Sequence, residues 1–576
     1  MKSATFMKTT SLQKFGIFLF AIILVLSIYE EVPAQEVIDE GVVTFGYRNN
    51  GKVREGASLE MFYKDGIVSY KSGWRRRAGS KEKQFLDYNE SKTYQVLTTS
   101  EDKYVVKKAF SEYKQPKFKD KSETILGYEC KKAVFKIKSN TIEVWYTEGL
   151  PIKGTPTISV GADLGLILKM VRNGSFEIFA TNIEFRKVKA EELNFDIATA
   201  KEVKADSYLR KVIDSRYQTI KVFEREQINF GDKIENPKED LLNITYRYSK
   251  GSVILKKIKL PELPKGTTVI ADLTSWSNGD AYDRTGSLFI IPVKEEVNFL
   301  NAFKDGIENV PVYTDKNGKE FQGVVATENY EPPLELARFF TPFGVKQFNE
   351  YTQIEGYNWA DSALYRQEIT SLLPQNGEEI WIGVFIGNYD KGGHVASLNL
   401  KIHPSYSKDE NKSRHWIKPI FNTLNIMEMS GQNYATMFHN DSLTLTIDIP
   451  EGLETLSLRY TSTGHGGWGG GDEFNPKLNE IIIDDEVVYK FVPWREDCPT
   501  YRLLNPSSGN FGNGLTSSDL SRSNWCPGSI TVPEIIPLNN LTPGIHTLKI
   551  AIPIGERAGG SFSAWNVSGV LIGTYK

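Results

Sequence analysis

The chain has 576 residues, which is enough for about three to four domains of the usual size. Its 69 Lys and Arg against 72 Asp and Glu leave a formal net charge of −3. This argues against a general nucleic-acid-binding protein, because such a protein needs a basic excess to neutralise phosphates. Hydrophobic residues make up 40% and charged residues 24% of the chain, which excludes a disordered protein and indicates globular domains.

The N-terminal segment has the pattern of a secretory signal. Three lysines in the first fourteen residues precede an apolar run at 15–28, and the small residue Ala34 follows before a possible cleavage point. The apolar run is shorter than the ~20 residues that a membrane span requires. The pattern predicts a signal peptide over 1–34 and an exported protein, periplasmic or secreted, with no membrane span after cleavage. The alternative is a membrane anchor.

Strand patterns dominate the rest of the chain and predict an all-β fold. Turn dipeptides such as Asn50-Gly51, Asp65-Gly66 and Asn173-Gly174 recur, and apolar and polar residues alternate at 443–449 and 455–463. Short strands separated by Gly and Pro turns favour β-sandwiches or jelly rolls.

Shifts in composition divide the chain after the predicted signal into four segments. They are a β-rich first domain, a charged linker and two further domains, over 36–190, 191–214, 215–403 and 404–576. Helical patterns are few, and the best of them predict helices at 189–200 and 333–340.

The most unusual loop, 464–474, has six glycines within its first eight positions and contains Trp468, Asp472 and Glu473. Each glycine costs backbone entropy on folding, so a cluster of them needs a reason. We interpret the loop as backbone that approaches a ligand closely while it presents an acid. A surface turn without function is the alternative.

A second loop begins near Trp276 and ends with Asp283 and Arg284. An adjacent guanidinium keeps a carboxylate ionised, as a base that activates water must be. The pattern therefore indicates that Asp283 is a candidate catalytic carboxylate. A loop salt bridge without function is the alternative.

A third loop contains Arg522, Trp525 and Cys526. An aromatic face can stack on a sugar, and a guanidinium offers forked donors to oxygen atoms. Cys498 lies in the same loop-rich region and export permits oxidation, so we expect a disulfide between Cys498 and Cys526. Cys130, in a strand-like segment, is expected to be a small buried hydrophobic residue. A purely structural loop is the alternative for this third region.

The histidines do not form a metal-binding motif. None of the six lies in a His-x-His or i,i+4 pair, and no Cys-x-x-Cys occurs. No nucleophile elbow or dinucleotide fingerprint stands out either. The sequence therefore predicts neither a metal nor a cofactor.

Four motifs lie in order between about 215 and 576: Asp283-Arg284, the stretch 338–343, Glu473-Phe474, and Arg522 with the stretch 525–528. Together and in this order they resemble the peptide-N-glycosidase F family. Asp283-Arg284 is similar to the family's Trp-Asp-Arg turn, and Arg338-Phe339-Phe340-Thr341-Pro342-Phe343 to its Arg-Phe-Ile-Thr-Pro-Tyr strand. Glu473-Phe474 is similar to its Glu-Trp, and Arg522 with Trp525-Cys526-Pro527-Gly528 to its Arg-x-x-Trp-Cys-Pro-Gly.

The resemblance implies two eight-stranded jelly rolls side by side, with a cleft along their interface. It implies hydrolysis of the amide between Asn and the first GlcNAc of an N-glycoprotein or glycopeptide, by a monomer without metal or cofactor. Asp283 would be the principal catalytic acid residue and Glu473 the second carboxylate. Arg284, Arg522 and Trp525 would face the chitobiose or support it, and Cys498–Cys526 would be the family's disulfide. The further candidate substrate-binding residues are Trp276, Trp468, Asp472 and Tyr389.

The chain departs from the family pattern in two respects. Two disulfides that flank the family's active-site turns are missing, since 278–282 and 470–475 contain no Cys. The family's third acidic residue, expected in a Thr-Glu-Thr-Trp strand, has no evident match at 386–389. Tyr389 is expected to supply an aromatic surface there.

In the first domain, residues 143–147 lead through Leu150-Pro151-Ile152 to a Gly-Ala-Asp-Leu-Gly-Leu segment at 161–166. This pattern resembles the GLPGLI-type domain of exported Bacteroidetes proteins. The resemblance implies an accessory role in a bacterial exported protein.

Three alternatives to an amidase follow from the same features. A noncatalytic glycan-binding or adhesion protein would keep the jelly rolls without the reaction, although a binding module rarely needs two facing carboxylates. A copper monooxygenase shares the jelly-roll pair by analogy, but the absence of His-x-His argues against it. A glycosidase with two carboxylates would leave GlcNAc on the Asn.

Overall fold

The computed structural model describes residues 39–72, 82–99, 101–231, 234–350, 352–404, 415–439, 441–466, 470–508, 517–554 and 562–575. The predicted signal peptide and Trp468 lie outside these described residues. The chain divides into two compact units, 1–215 and 216–576. Among the described residues, no helix has both the length and the apolar character to cross a bilayer.

The N-terminal unit is built on one twelve-stranded sheet. Its strands are β1 (Gly41–Asn49), β2 (Lys52–Lys64), β3 (Ile67–Ser72), β4 (Glu82–Asp87), β5 (Lys92–Thr98), β6 (Lys103–Ala109), β7 (Lys117–Ile125), β8 (Tyr128–Ile137), β9 (Asn140–Thr147), β10 (Leu166–Arg172), β11 (Phe176–Phe185) and β12 (Lys201–Glu202). Across the sheet they run β12-β6-β5-β4-β3-β2-β1-β11-β10-β9-β8-β7. Asn50, Asp65 and Asn173 all have positive φ, as do the glycines that follow them, so the predicted dipeptides form the hairpin turns. Cys130 is a buried free thiol.

The segment predicted as a linker is folded onto this unit. It contains helices α1 (Ala190–Leu193) and α2 (Ala205–Asp214), and α1 is much shorter than the helix predicted at 189–200. Tyr208 and Val212 of α2 are buried against Leu97, and the Tyr208 hydroxyl donates to Glu82 Oε1 at 3.1 Å. This helix is amphipathic, and its apolar face therefore makes it part of the domain rather than a free connection.

The first sandwich of the C-terminal unit packs a four-stranded sheet on a six-stranded one. Its strands are β13 (Gln218–Ile228), β14 (Thr245–Tyr248), β15 (Val253–Lys259), β16 (Thr268–Ser277), β17 (Thr285–Ile291), β20 (Leu334–Phe340), β21 (Ala363–Glu368), β22 (Glu379–Ile386) and β23 (His394–His403), with the hairpin β18 (Val312–Thr314) and β19 (Glu320–Gln322) beside them. The sheet orders are β13-β23-β16-β21 and β14-β15-β22-β17-β20, and the second sheet is completed beside β20 by β29 (Ile530–Thr531). Helix α3 (Phe299–Asp305) follows β17.

The second sandwich has two four-stranded sheets. Its strands are β24 (His415–Asn422), β25 (Leu443–Ile449), β26 (Leu453–His465), β27 (Asn479–Ile483), β28 (Glu486–Phe491), β30 (Glu534–Pro537), β31 (Gly544–Ala551) and β32 (Ala564–Tyr575), in the orders β24-β32-β26-β30 and β25-β31-β27-β28. The remaining strand, β29 (Ile530–Thr531), pairs instead with β20 of the first sandwich. The jelly-roll pair is confirmed, but the first sandwich has more strands than the eight that were predicted.

The helix predicted at 333–340 is wrong, because these residues form the fully buried strand β20. A short run of apolar residues with a charged pair three positions apart fits a helix face as well as a buried strand. Tertiary packing decides between them, because β20 lies between β17 and β29 in its sheet.

The two charges in β20 belong to a buried network between the sandwiches. Arg338 donates to Glu335 Oε1 from Nε at 3.0 Å and to Oε2 from Nη2 at 2.8 Å, and neither side chain is exposed. From the second sandwich, Arg459 donates to the backbone oxygen of Glu335 at 3.0 Å, and Ser568 donates to its carboxylate. Burial acts to raise the pKa of Glu335, but the Arg338 guanidinium lowers it overall.

Glu335→Ala is expected to lower the free energy of unfolding by about 3–5 kcal/mol, because it leaves the buried Arg338 guanidinium without its carboxylate. Urea unfolding measures the change. The exposed Glu454→Ala is the matched control, with an expected change within about 0.5 kcal/mol. Equal midpoints for the two variants would contradict the proposed stabilising role.

Candidate functional site

Asp283 lies in the loop between β16 and β17, which is held by a side chain from the end of β20. Thr341 Oγ1 donates to the backbone oxygen of Tyr282 at 2.9 Å and accepts from the backbone N–H of Arg284 at 2.8 Å. The residues on both sides of Asp283 are therefore fixed by one hydroxyl. This fixes the direction in which the carboxylate leaves the backbone.

Glu473 and Arg522 come from two loops of the second sandwich that are hydrogen-bonded to each other. The backbone N–H of Ser523 donates to the backbone oxygen of Glu473 at 2.9 Å. Gly464 N donates to the Ser523 oxygen at 3.3 Å, and a Cβ on Gly464 would approach Ser523 Cβ to 2.8 Å. At least this glycine of the Gly-rich loop is thus required by close packing.

Arg522 joins the two predicted catalytic carboxylates. Its Nη2 donates to Asp283 Oδ2 at 3.1 Å, and its Nε donates to Glu473 Oε1 at 3.1 Å. Its remaining N–H groups bond to Ser517 and Leu520, so the guanidinium is held in one orientation. The Arg522 side chain has no exposed surface, whereas those of Asp283 and Glu473 are 17% and 16% exposed. The two acids converge from different sandwiches and keep access to solvent.

Both carboxyls have an elevated pKa. Burial raises the pKa of Asp283 to about 6, against the opposing charge of Arg522. Burial raises the pKa of Glu473 to about 7, with a further rise from the nearby Asp283 charge. Two acids whose pKa values lie near neutrality can exchange protons with a substrate at physiological pH.

Arg284 is paired differently from the sequence-based expectation. Its Nε donates to Asp280 Oδ2 at 2.7 Å and its Nη2 to Asp280 Oδ1 at 3.2 Å, so its ion-pair partner is Asp280 rather than the adjacent Asp283. The guanidinium carbon lies 4.7 Å from the ring centre of Tyr282 and 5.6 Å from that of Tyr389. The neighbour in sequence is not the partner: the chain turns at Asp283, where the backbone N–H of Arg284 donates to the oxygen of Tyr282 at 3.1 Å, and the guanidinium binds Asp280 four residues earlier.

The structure places three of the predicted substrate-binding residues in contact with other protein side chains. Trp525 is only 3% exposed. Its ring stacks on that of Phe340 with the ring centres 4.2 Å apart, and the Arg522 guanidinium carbon lies 4.7 Å from its centre, so no face is open to a sugar. Asp472 is buried and accepts from Trp565 Nε1 at 2.8 Å. Both residues support the loops of Glu473 and Arg522 instead.

Trp276 is the third of these. It lies in β16, one residue beyond the buried Ser275, so it points to the outer face of its sheet. There the Arg225 guanidinium carbon lies over its ring, 4.1 Å from the ring centre. No described contact joins it to Asp283 or Glu473, in the parts of the chain that the structure describes.

Tyr389 is exposed, with its ring centre 5.6 Å from the Arg284 guanidinium carbon, and its hydroxyl contacts a carboxylate that the sequence did not indicate. Its hydroxyl and that of Tyr434 both donate to Glu428 Oε1. A Cβ on Gly387 would lie 3.4 Å from Glu428 Oε2, and Gly387 N donates to the oxygen of Thr285 at 3.0 Å, two residues after Asp283. Glu428 thus lies beside the Asp283 loop. It occurs in a loop without a motif, so no sequence signal could have identified it.

The predicted disulfide Cys498–Cys526 is present and closes a sequence separation of 28 residues. It joins the seven-residue 3-10 segment Cys498–Leu504 to the loop of Arg522. Within the described residues, no group of three or more His, Cys, Asp or Glu is arranged to hold a metal ion.

Replacing both cysteines, Cys498→Ser with Cys526→Ser, is expected to lower the free energy of unfolding by about 3–4 kcal/mol, because the unfolded chain regains the entropy of an open loop. Urea unfolding with and without reductant measures this. Reductant should destabilise the parent protein and leave the double variant unchanged. An unchanged unfolding midpoint in the double variant would contradict the expectation.

Comparison with known proteins agrees with this architecture. Family models described as "Peptide-N-glycosidase F, N terminal", "Peptide-N-glycosidase F, C terminal" and "N-glycanase peptide, N-terminal domain" match residues 219–402, 433–572 and 43–209. The last match covers the segment that resembles a GLPGLI-type domain and extends through most of the predicted linker. No curated protein sequence matches the chain.

Two solved structures are similar over nearly the whole chain. They are structures of PNGF-II in the C2 and P21 space groups, each 42% identical with a TM-score of 0.83. Each match covers 93% of this chain, and 98% and 99% of the two solved chains. On the identity and coverage of these matches, together with the three family models, the chain belongs to the peptide-N-glycosidase F family.

Proposed function

We propose that this chain hydrolyses the amide bond between Asn and the proximal GlcNAc of N-glycoproteins and glycopeptides. The products are an Asp on the peptide and a glycosylamine on the released glycan. The observation that supports this most directly is the bridge of Arg522 between Asp283 and Glu473, which holds two carboxyls of elevated pKa at one solvent-accessible place. Membership of the family supports the same reaction class.

In this proposal Asp283 is the base. Its carboxylate takes a proton from a water molecule, whose oxygen forms a bond to the amide carbon of the Asn side chain. An amide is a poor electrophile, so the water and the carbonyl have to be oriented and the tetrahedral oxyanion stabilised. The Arg284 guanidinium, about one-fifth exposed, is placed on the same loop to donate to that oxyanion.

Glu473 is the acid in the same scheme. Burial and the neighbouring Asp283 charge raise its pKa to about 7, so a substantial fraction is protonated near neutral pH. When the carbon–nitrogen bond breaks, the leaving nitrogen takes the Glu473 proton, and the amide carbon keeps the water oxygen as the new carboxyl group of the Asp product. The Asp283 carboxyl then gives its proton to solvent and Glu473 regains one from solvent, which restores both groups. Arg522 keeps the two oxygens in register and forms no bond to the substrate, because all its N–H groups are used internally.

The exposed ring of Tyr389 and the carboxylate of Glu428 are proposed to bind the sugar next to the scissile bond. Burial, followed by the hydrogen bond to Glu428, raises the pKa of both Tyr389 and Tyr434, so the phenols stay protonated and continue to donate. A rigid aromatic face beside a carboxylate fits the C–H face and the hydroxyls of a GlcNAc. Glu428 would thereby take the place of the family's third acidic residue.

Tyr389→Ala is expected to raise KM for glycopeptide about tenfold and to change kcat by less than threefold, because the ring binds ground state and transition state alike. Steady-state kinetics on one labelled glycopeptide measure both constants. Tyr389→Phe is the matched control, which keeps the ring and loses the bond to Glu428. A fall in kcat without a change in KM would contradict a binding role.

The proposed reaction is tested by mass spectrometry of a glycopeptide treated in heavy-oxygen water. An amidase converts the glycosylated Asn to an Asp that carries one heavy oxygen in its new carboxylate. A glycosidase leaves GlcNAc on the Asn, and a glycan-binding protein leaves the glycopeptide intact. Either of these results overturns the proposal, and Asp283→Asn excludes a contaminating activity.

We further propose that the protein is exported and acts as a monomer, with the N-terminal unit as an accessory domain. The disulfide Cys498–Cys526 supports export, because disulfides persist in oxidising compartments. Fractionation of the native host followed by mobility shift on reduction tests the location. Recovery of the protein in the cytoplasmic fraction, without a mobility shift on reduction, would contradict export.

A further inference from the structure

Asp280 is a buried carboxylate in the Asp283 loop to which no role in the reaction has been given. It is 2% exposed and binds Arg284 through both oxygens, at 2.7 and 3.2 Å. Its Oδ1 also accepts from the backbone N–H of Tyr282 at 3.2 Å, and the fully buried His394 places Nε2 3.4 Å from its Oδ2. A carboxylate buried with this many partners is held in one orientation.

The loop that carries Asp280 is tied to the neighbouring strand connection. Asn278 N donates to the oxygen of Gly393 at 2.9 Å, and the Asn278 side chain donates to the oxygen of Gly392 at 3.0 Å. Gly279 has a φ of +136°, and a Cβ there would lie 2.9 Å from Asp390 Oδ1. The position of Asp280 is therefore set by the first sandwich alone, independently of the loops that carry Glu473 and Arg522.

Arg284 has two carboxylates within reach of its flexible side chain, those of Asp280 and Asp283. The structure pairs it with Asp280, and Asp283 is hydrogen-bonded to Arg522. A planar guanidinium that uses Nε and one Nη on one carboxylate keeps its remaining N–H groups pointing away from it. Here the guanidinium lies against Tyr282 and Tyr389.

We propose that Asp280 is a positioning residue, which binds Arg284 so that its guanidinium is directed at the substrate and does not form an ion pair with Asp283. The inference rests on the proposed function, in which Asp283 acts as a base. A direct ion pair to a second arginine would make Asp283 a weaker base, because an opposite charge at contact distance favours the ionised form. Asp280 removes that competition by neutralising Arg284.

Among the residues that the structure describes, the charged groups around the Asp283 loop define the expected change in the pKa of Asp283. Arg284 and Asp280 lie on its own loop, Arg522 and Glu473 face it from the second sandwich, and Glu428 lies beside the turn after β22. Asp280→Asn removes one negative charge from this set and leaves Arg284 unbalanced. Arg284 is then expected to turn to Asp283, and the pKa of Asp283 is expected to fall by about one unit.

The test is an infrared titration of the Asp283 carboxyl, obtained by subtracting the spectrum of the matching Asp283→Asn protein. It is made for the parent protein, Asp280→Asn and Asp280→Glu. We expect the lowered pKa in Asp280→Asn and a value close to that of the parent in Asp280→Glu, which restores the charge. An unchanged pKa in folded Asp280→Asn overturns the inference.

The pH dependence of kcat/KM for glycan release is the second measurement. In Asp280→Asn the acidic limb is expected to move to lower pH by about one unit, while the plateau falls about tenfold. Asp280→Asn combined with Arg284→Gln is expected to return the limb to its position in Arg284→Gln alone. A limb that stays displaced in the double variant overturns the inference, since Arg284 would not be the cause.

Two further outcomes remain decisive. If Asp280→Asn does not fold, Arg284→Gln decides alone, because removal of a guanidinium already bound elsewhere should raise the Asp283 pKa by less than about half a unit. A larger rise would show direct pairing and overturn the inference. If the parent protein releases no glycan, the proposed function fails, whereas the infrared titration still decides the role of Asp280.

Discussion

Asp283→Asn is expected to lower kcat/KM for glycan release by about a thousandfold, because it removes the base that takes the proton from water. The amide side chain has the same shape and can still accept a hydrogen bond from Arg522. KM is therefore expected to change by less than threefold and folding to be retained. Glycan release from a labelled glycopeptide measures the rate, and thermal unfolding confirms the fold.

The elevated pKa values of the two carboxyls determine in which direction kcat/KM changes with pH. The pKa of Asp283 is raised to about 6, and the base has to be ionised, so kcat/KM should fall as the pH drops through this region. The pKa of Glu473 is raised to about 7, and the acid has to be protonated, so kcat/KM should also fall above it. Glu473→Gln is expected to remove the alkaline limb. The exposed Asp448→Asn is the control, with an unchanged profile.

A turnover near that of the parent in Asp283→Asn would contradict the assignment of the base. A kcat/KM that stays constant as the pH falls below about 6 would contradict the same assignment independently. If Asp283→Asn loses both activity and the folding transition, Asp283 has a structural role. Asp283→Glu, which keeps the negative charge, distinguishes this case from the loss of the base.

The sequence was sufficient to predict which acids converge, because Asp283 and Glu473 each lie in a motif that resembles one of the family's motifs. The same motifs indicated the jelly-roll pair and the disulfide, both of which the structure contains. The pairings inside the site were not predictable in this way. Arg284 was assigned to Asp283 by adjacency, whereas the direction of each side chain from the loop decides that it binds Asp280.

Residues that act through burial were the hardest to place from sequence. A Trp in a loop is compatible with a sugar platform and with a packing role, and only the stack of Trp525 on Phe340 distinguishes them. Asp472 and Glu473 are neighbours with equal chemistry, yet one is bound to Trp565 and the other to Arg522. Glu428 follows β24 of the second sandwich and contacts Tyr389 of the first, and no local sequence pattern indicates such a contact.

Arg522→Lys is expected to lower the free energy of unfolding by about 2–3 kcal/mol and kcat/KM by about a hundredfold. A single ammonium cannot reach Asp283, Glu473 and Ser517 at once, so buried acceptors lose their donors. The two carboxyls are then no longer held in register, and a displacement of about 1 Å can cost a factor of about a hundred in rate.

Arg522→Met extends this prediction to the pH profile. The Arg522 charge lowers the pKa of both Asp283 and Glu473, so its removal should raise both values and move the whole kcat/KM profile to higher pH. The unfolding cost should reach about 3–5 kcal/mol, because two largely buried carboxylates lose their cation and the buried acceptor Ser517 loses its donor. Urea unfolding and the pH profile are measured on the same preparations. Arg522→Lys with the rate and stability of the parent would show that the bridge between the acids is incidental, and that the two sandwiches hold Asp283 and Glu473 in place without it.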